Sequence, residues 1–370
     1  MKNFLFILGT RPEAIKLAPV IIEARSKGIH CQVVSTGQHG ELVEQMLSLF
    51  GIEINVDLQI LQYCETDIDD IFTRIIEDLS YSYDIREFTS PDLCIVQGDT
   101  TSALVGALWA FYNKIPIAHI EAGLRSHNKF SPFPEEMHRR LIAQLADYHF
   151  CPTEITGQQL RREGICSNIC VVGNTVIDAL HLVLNSYYQF KTTALQELDF
   201  KNNAVIVMTL HRRENWEIAE EIFKAVGKFV KDFEDVKIVL PVHMNKVGEV
   251  AKKVFSHNEN VLLVDPLPYD EFINLLARSL FIVTDSGGIQ EEAPSLRKPV
   301  LVIRRETERT EGIADGVSSL IGINPATIRN KMKDLLFNEV MYYNMVDANY
   351  HKYGYGDSAQ RIIGVLKGVE

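Results

Sequence analysis

The chain has 370 residues, of which 46% are hydrophobic and 23% are charged, which predicts a globular protein with a sizeable core and two or three domains. Its formal net charge of −12 argues against a general binder of nucleic acid or of an anionic membrane. The six cysteines contain no C-x-x-C pair, and the first apolar run, Phe4–Leu8, is too short for a signal peptide or a membrane span, so we expect a reduced, cytoplasmic protein.

Short apolar runs alternate with amphipathic stretches along the whole chain. The runs that predict strands in the first half are Phe4–Leu8, Gln32–Ser35, Leu93–Gln97, Ile117–Glu121, Tyr148–Cys151 and Ile169–Val172. Those in the second half are Val205–Thr209, Lys237–Pro241, Val261–Val264, Phe281–Thr284 and Val300–Ile303. Near-continuous apolar strands separated by helices are typical of parallel sheets covered on both faces. We therefore predict an α/β fold with a doubly wound parallel sheet in each half.

The predicted junction between the halves follows Val172–Thr175, where a helix-like stretch leads into the polar segment Lys191–Asn203. This gives a first domain over 1–173 and a second over 174–356. A final helix in 357–370 follows a Gly-Tyr-Gly turn, and we expect it to pack back on the first domain.

The first strand leads into the loop Gly9–Glu13. Gly9 permits a tight turn, and Pro12 suits the first turn of a helix. Arg11 and Lys16 then lie near a helix N-terminus, which is an anion site. The G-x-G-x-x-G fingerprint of dinucleotide-binding folds is absent here. The structural alternative is a solvated basic pair.

Three acidic residues follow predicted strands between residues 97 and 136. Asp99 follows Leu93–Gln97, Glu121 ends Ile117–Glu121, and Glu135 follows a Ser-Pro-Phe-Pro run. The carboxyl ends of strands in an open α/β sheet face the ligand crevice, so these acids predict proton chemistry. Each acid has a structural alternative: Asp99 caps a helix, Glu121 pairs with Arg125, and Glu135 is a first-turn acid.

Two loops of the second half predict a site for a nucleoside diphosphate. The loop Asp285–Glu292 combines a capping Ser286 with Gly287 and Gly288, so backbone N–H groups can approach a phosphate closely. The loop His211–Asn215 adds a cationic His-Arg-Arg cluster at another strand end. Further cations follow Val300–Ile303, namely Arg304, Arg305 and Arg309. The alternatives are a sharp strand-to-helix turn, a structural histidine, and surface ion pairs with Glu306 and Glu308.

Carboxylates in one half and a diphosphate site in the other predict a nucleotide-sugar ligand. Direct removal of a proton from sugar C2 is very unfavourable because no carbonyl is adjacent. Elimination avoids this difficulty: the C2 proton is removed while the nucleoside diphosphate leaves C1, and both are then returned with the opposite C2 configuration. Sugar transfer to an acceptor requires many of the same parts, so it stays open at this point.

Seven runs of the sequence together form a specific pattern. They are Gly9–Lys16 (GTRPEAIK), Gly37–His39 (GQH), Gly98–Thr101 (GDTT), His119–Arg125 (HIEAGLR), Ser131–Glu136 (SPFPEE), His211–Asn215 (HRREN) and Asp285–Pro294 (DSGGIQEEAP). The chain thereby resembles the bacterial non-hydrolysing UDP-N-acetylglucosamine 2-epimerases. This resemblance implies a glycosyltransferase-B-like fold of two Rossmann-like domains with an active-site cleft between them. It also implies no nicotinamide or other cofactor, no required metal, and commonly a homodimer.

The resemblance assigns roles to particular residues. Asp99, Glu121 and Glu135 match the catalytic acids of the family, and His211 is expected to meet the diphosphate as part of the same machinery. The matches to UDP-sugar contacts are Arg11, Lys16, His211, Phe272, Ser286, Gly287, Gly288, Glu292 and Arg309.

The activity implied is reversible conversion of UDP-N-acetylglucosamine to UDP-N-acetylmannosamine through loss and return of UDP, in the supply of surface polysaccharide precursors. The runs around Asp99 and Glu121 resemble the non-hydrolysing branch of the family. Alternatives are a hydrolysing 2-epimerase that releases N-acetylmannosamine and UDP, a glycosyltransferase with a UDP-sugar donor, and a silent nucleotide-sugar sensor.

Overall fold

A computed structural model of the chain describes residues 2–62, 67–84, 90–242, 245–307, 309–348 and 351–368. The chain divides into two compact units. Unit 1 contains the residues up to 182 together with those from 353 onwards, and unit 2 contains residues 183–352. The domain limits 1–173, 174–356 and 357–370 stay predictions.

Unit 1 is built on a seven-stranded sheet in which every pair of neighbouring strands is parallel. Its strands are β1 (Asn3–Leu8), β2 (His30–Ser35), β3 (Val56–Asp57), β4 (Leu93–Gln97), β5 (Ile117–Ile120), β6 (Tyr148–Cys151) and β7 (Ile169–Val171). Their order in the sheet is β3-β2-β1-β4-β5-β6-β7. This order places the topological switch point between β1 and β4.

The helices of unit 1 connect these strands. They are α1 (Arg11–Ser26), α2 (Glu41–Leu49), α3 (Ile68–Asp84), α4 (Thr101–Tyr112), α5 (Glu135–Leu145), α6 (Glu154–Arg162) and α7 (Thr175–Val183), with a 3₁₀ turn over Ile60–Gln62. A core of buried side chains from β1, β4, α3 and α4 includes Leu5, Ile75, Cys94 and Trp109. Cys94 is buried among these apolar side chains, where a free cysteine behaves as a small hydrophobic residue.

Unit 2 repeats the plan with six parallel strands. They are β8 (Ala204–Thr209), β9 (Val236–Pro241), β10 (Val261–Val264), β11 (Phe281–Thr284), β12 (Val300–Val302) and β13 (Ser318–Leu320). Their order is β10-β9-β8-β11-β12-β13, so the switch point lies between β8 and β11. Two parallel, doubly wound sheets confirm the predicted α/β, glycosyltransferase-B-like class.

The helices of unit 2 cover both faces of its sheet. They are α8 (Thr193–Gln196), α9 (Ala219–Lys231), α10 (Lys246–Phe255), α11 (Tyr269–Arg278), α12 (Gly287–Ser295), α13 (Thr310–Ala314), α14 (Pro325–Phe337) and α15 (Glu339–Val346), with a 3₁₀ segment over Arg213–Ile218. The last helix of the chain, α16 (Ser358–Lys367), belongs to unit 1 and packs against α1. Within the described residues, no helix is both long and apolar enough to cross a membrane.

All eleven predicted strands are present, and each predicted limit lies within two residues of the observed one. Two strands were not predicted: β3 has two residues and β13 has three. Both lie at edges of their sheets, where a strand is exposed on one side and requires few apolar residues.

Candidate active site

The loop after β1 is fixed by a buried glutamate. Glu13 Oε2 accepts hydrogen bonds from the backbone N–H groups of Gly9 and Thr10 at 3.0 and 2.8 Å, and from the Thr10 hydroxyl at 2.8 Å. Its other oxygen accepts from the hydroxyl of Thr100, at 2.7 Å, in the loop that follows β4. Glu13 therefore ties together the two loops that flank the switch point of unit 1.

Burial raises the pKa of Glu13 from 4.5 to about 7, although its four hydrogen bonds oppose the shift. Between those two pH values the folded state keeps a proton that the unfolded state releases. The free energy of unfolding should therefore fall as the pH rises from 4.5 to 7, by about 3 kcal/mol in total, and level off above that range.

The variant Glu13→Gln should remove the contribution of this residue to the pH dependence of the unfolding free energy. Its amide oxygen can take the place of Oε2 and accept the same three donors, while its NH₂ group donates to the Thr100 hydroxyl. Urea unfolding from pH 4.5 to 8 measures the difference between the variant and the natural protein. If the two curves run parallel, Glu13 is ionised throughout and the prediction is wrong.

Glu121 follows β5 in the left-handed backbone region, with φ of 66°. A non-glycine residue there costs about 1–2 kcal/mol, so the fold must hold it in place. Lys16, one turn into α1, donates to both carboxylate oxygens of Glu121 at 2.7 and 2.8 Å, and the side-chain amide of Gln97 donates to the same carboxylate. The predicted anion contact Lys16 and the predicted acid Glu121 thus form one ion pair.

Asp99 follows β4, after Gly98. Its carboxylate forms an ion pair with Arg139 of α5, and its backbone carbonyl lies 2.9 Å from Nδ1 of His138 on the same helix. Burial lowers the pKa of His138, while the charges of Asp99 and Glu135 act in the opposite direction. Helix α5 therefore brings two of the three predicted acids together around His138.

Glu135 is the first residue of α5, and its neighbour Glu136 has a different role. Oε2 of Glu135 is buried and has no hydrogen-bond partner among the residues that the structure describes. Glu136 accepts from the backbone N–H groups of Ser126 and His127 and pairs with Arg140. Burial raises the pKa of Glu136, but these partners outweigh burial and hold the pKa below its usual value. Glu136 thus fixes the preceding loop, and Glu135 is left with an unbonded oxygen.

Two structural alternatives for the acids are wrong. The cap of α4 is Thr100, whose hydroxyl accepts from the backbone N–H of Ala103 at 3.0 Å, so Asp99 does not serve as the cap. Arg125 pairs with Glu163 at 2.6 and 2.7 Å and not with Glu121. The third alternative is correct in position, since Glu135 does lie in a first turn.

His119, on β5, is a structural histidine. Its side chain is completely buried, and Nε2 lies 2.8 Å from the carbonyl oxygen of Gly98. Burial lowers the pKa of His119 to about 3, so the ring is neutral at physiological pH. His119 therefore supports the turn before Asp99 and supplies no charge to the site.

In unit 2, the N-terminus of α12 follows β11 through Asp285 and Ser286. Ser286 is the cap residue as predicted, but its hydroxyl makes no capping hydrogen bond. A Cβ atom on Gly287 would lie 3.4 Å from the guanidinium carbon of Arg309 and 3.6 Å from Nη2 of Arg212. Two guanidinium groups therefore lie beside Gly287 in the first turn of this helix, an arrangement that suits a phosphate group.

His211 follows β8, on the other side of the switch point. Its Nδ1 lies 3.0 Å from Oδ1 of Asp285, a completely buried carboxylate. Burial raises the pKa of Asp285, but hydrogen bonding to His211, the charge of that ring and the donors from Arg212 and Asn215 outweigh burial and lower it. The side chain of His211 is 46% exposed, so the edge of its ring is open to a ligand.

The remaining predicted contacts of unit 2 lie on α11 and α12 or after β12. Phe272 lies one turn after Tyr269, whose hydroxyl donates to Glu292 Oε1 at 3.0 Å. Arg309 pairs with the buried Glu291 at 2.9 Å, so the predicted surface pair with Glu306 is wrong for this arginine.

Of the other predicted basic residues, Arg304 is buried and Arg305 is exposed. Glu308 and the side chain of Arg213 lie outside the described part of the chain.

Each unit thus presents one kind of chemistry at its switch point. Unit 1 presents three carboxyl groups, two of them paired with cations, which suit proton transfer. Unit 2 presents a helix N-terminus with arginine side chains and an oriented imidazole, which suit a diphosphate. Among the described residues, no group of three or more His, Cys, Asp or Glu side chains is arranged to hold a metal ion.

The comparisons with known proteins agree on one family. The model of the family described as UDP-N-acetylglucosamine 2-epimerase matches residues 22–367. The chain belongs to the UDP-N-acetylglucosamine 2-epimerase family. The UDP-N-acetylglucosamine 2-epimerase of Bacillus subtilis is 41% identical over 364 residues, which cover 97% of this chain and 93% of the relative.

Solved structures of the family have the same fold. The Neisseria meningitidis UDP-GlcNAc 2-epimerase, solved bound to UDP-GlcNAc, is 40% identical with a TM-score of 0.88 and full coverage of both chains. The Staphylococcus aureus protein MnaA, solved with UDP, is 40% identical with a TM-score of 0.88, over 99% of this chain and 96% of that one. These matches confirm the family resemblance and the fold that were expected from the seven sequence runs.

Sequence reasoning missed the residues that hold the candidate groups in place. His138 and Arg139 lie three and four residues after Glu135, a helical spacing that indicates a shared face. In the sequence, Asp285 stands out only as the start of a glycine loop, and Glu13 only as part of a motif. Nothing in the sequence pairs Tyr269 with Glu292.

Proposed function

We propose that the chain is a non-hydrolysing UDP-N-acetylglucosamine 2-epimerase, an isomerase that interconverts UDP-N-acetylglucosamine and UDP-N-acetylmannosamine. The observation that carries this proposal is the carboxylate trio (Asp99, Glu121 and Glu135), whose members follow adjacent strands or open α5 in a chain of this family. A homodimer, a cytoplasmic location and a role in supplying surface polysaccharide precursors belong to the same proposal.

The proposed reaction has two halves that balance. A carboxylate removes the proton from C2, the electron pair forms a C1–C2 double bond, and UDP leaves C1 with the electrons of the C1–O bond. In the second half, a proton is delivered to the opposite face of C2, and an oxygen of UDP reforms the bond to C1. The sugar keeps its oxidation state, so the cycle needs no net oxidant or water.

The trio supplies the groups that this cycle needs. Lys16 holds the carboxylate of Glu121 and Arg139 holds that of Asp99, so each carboxylate has a fixed position from which to accept a proton. Glu135 has a buried oxygen without a partner in the described structure, which suits a group that carries a proton. We propose that two members of the trio act on opposite faces of C2 and the third supports them.

Unit 2 supplies the groups that the leaving UDP needs. The proposed diphosphate contacts are His211, Ser286, Gly287, Gly288 and Arg309, with Arg11 of unit 1 as a further cation. Glu292, held by Tyr269, is placed to accept hydrogen bonds from ribose hydroxyls, and Phe272 offers an aromatic surface on α11. Cations at the diphosphate stabilise the charge that develops as the C1–O bond breaks.

Incubation with UDP-N-acetylglucosamine alone in deuterated water tests the proposal. We expect NMR to show both C2 epimers at equilibrium, each with deuterium at C2 and each still attached to UDP. Free N-acetylmannosamine with stoichiometric UDP would instead indicate the hydrolysing reaction. An unchanged donor without deuterium would contradict epimerisation and favour a glycosyltransferase or a silent sensor.

A further inference from the structure

Asp285 is a buried carboxylate with several hydrogen-bond donors at the switch point of unit 2. It lies directly after β11, beside the end of β8, where the hydroxyls of Thr209 and Thr284 are 2.6 Å apart. No part of the Asp285 side chain is exposed, so it cannot contact a ligand itself. Asp285 must therefore act through the groups that it binds.

The two oxygens of Asp285 have different partners. Oδ2 accepts from three donors: the backbone N–H groups of His211 and Arg212 at 3.0 and 2.9 Å, and the side-chain amide of Asn215 at 3.0 Å. Oδ1 lies 3.0 Å from Nδ1 of His211, and 3.2 Å from its backbone nitrogen. Because a carboxylate can only accept, the hydrogen of a neutral His211 ring is held on Nδ1.

We propose that Asp285 is a positioning residue that fixes His211 as its Nδ1–H tautomer, so that Nε2 can donate to the diphosphate only when the ring is protonated. This inference rests on the proposed function, since it assumes that His211 meets the diphosphate of UDP. A neutral ring would present the lone pair of Nε2 to phosphate oxygens, which repel it. UDP therefore binds with uptake of a proton by His211 when the free ring is neutral.

Asp285, Arg212, Arg309 and Glu291 are the charged groups near this ring among the described side chains. Asp285 lies on one side of the ring, and Arg212 follows it in the chain. Arg309 and its partner Glu291 lie at the N-terminal half of α12, where Arg309 and Arg212 both approach Gly287. The Trp216 indole, from the 3₁₀ segment, donates to the backbone carbonyl of His211 and carries no charge.

The variant Asp285→Asn should invert the tautomer. The three donors at Oδ2 require an acceptor, so the amide oxygen takes that position and the NH₂ group faces Nδ1 of His211. The ring then accepts at Nδ1 and carries its hydrogen on Nε2 while neutral. The variant ring can donate to phosphate without a charge.

The ring nitrogens of His211 report the tautomer directly. The test is a long-range ¹H–¹⁵N spectrum of the ligand-free protein at alkaline pH, with the signal assigned by its loss in His211→Gln. We expect Nδ1–H in the natural protein and Nε2–H in Asp285→Asn. The control Asp270→Asn changes another buried carboxylate of unit 2, which binds Tyr188, and should leave the signal of His211 unchanged.

Calorimetric titration with UDP in two buffers of different ionisation enthalpy measures the linked proton. In the natural protein, the affinity for UDP should fall about tenfold per pH unit once the free ring is neutral. In Asp285→Asn the affinity should be about tenfold weaker at low pH, nearly independent of pH, and without proton uptake.

The outcomes separate the two proposals. Nε2–H in the natural protein would overturn the role of Asp285 whether or not UDP binds, and this result does not require the variant to fold. If the natural protein shows Nδ1–H but binds no UDP at any pH, the role of Asp285 in fixing the tautomer is supported and the proposed function is contradicted. Nδ1–H with UDP binding that takes up no proton would overturn the proton-linked contact.

Discussion

Replacement of any member of the carboxylate trio is expected to slow epimerisation by roughly 10²–10⁴-fold, the usual contribution of a positioned general acid or base. The variants are Asp99→Asn, Glu121→Gln and Glu135→Gln, which change the side-chain volume little. Initial rates of deuterium incorporation at C2 measure the effect. The affinity for UDP should be retained, because the proposed diphosphate contacts are mostly on unit 2.

The same variants should differ in stability, because their carboxylates have different partners. Asp99→Asn and Glu121→Gln each remove the charge of the carboxylate that pairs most closely with a largely buried cation, Arg139 or Lys16, so the melting temperature should fall. Glu135→Gln removes a carboxylate that has an unbonded oxygen, so this variant should lower the melting temperature least.

A suitable control is Glu154→Gln, which alters an exposed ion pair with Arg161 on α6 and should change neither rate nor stability. Near-normal rates in all three trio variants would return these acids to structural roles.

Loss of the Lys16 ammonium should affect stability and rate together. Both side chains of the Lys16–Glu121 pair are largely buried, with exposures of 13% and 7%, and Lys16→Met leaves the Glu121 carboxylate without this cation. We expect a loss of about 3 kcal/mol in the free energy of unfolding. The rate should fall by roughly 100-fold, because the Glu121 carboxylate loses the cation that fixes its position as a base.

A double-mutant cycle distinguishes this pair interaction from a simple packing defect. The variant Lys16→Met/Glu121→Gln carries no unpaired charge, so its unfolding free energy should exceed that of Lys16→Met alone. Lys16→Arg keeps the charge and serves as the matched control for stability. Additive losses in urea unfolding would mean that the two side chains do not stabilise each other.

The positions of Asp99 and Glu121 could be predicted because each acid follows a buried apolar strand. Parallel strands bring their carboxyl ends to one edge, so local sequence was sufficient to place Asp99 and Glu121 near each other. The partners could not be predicted in the same way. Lys16 is 105 residues from Glu121, and Arg139 is 40 residues from Asp99, so only the strand order brings them together.

A similar reason explains why the diphosphate site was predicted but not its support. The glycines and cations of unit 2 have distinctive residue types, whereas Asp285 has an ordinary one before a turn. Its three donors and the His211 ring become neighbours only because β8 and β11 are adjacent. The alternative pairing of Glu121 with Arg125 is wrong because Arg125 forms an ion pair with Glu163, which lies in a later loop.

The return of the chain end to unit 1 has a consequence for the order in which the protein matures. Helix α16 packs on α1, Lys2 donates to the carbonyl groups of Leu366 and Lys367, and the N–H group of Ala359 donates to Asp178. Translation proceeds from the N-terminus, so all of residues 183–352 leave the ribosome before these contacts can form. The unit that is synthesised first is therefore the last to be completed.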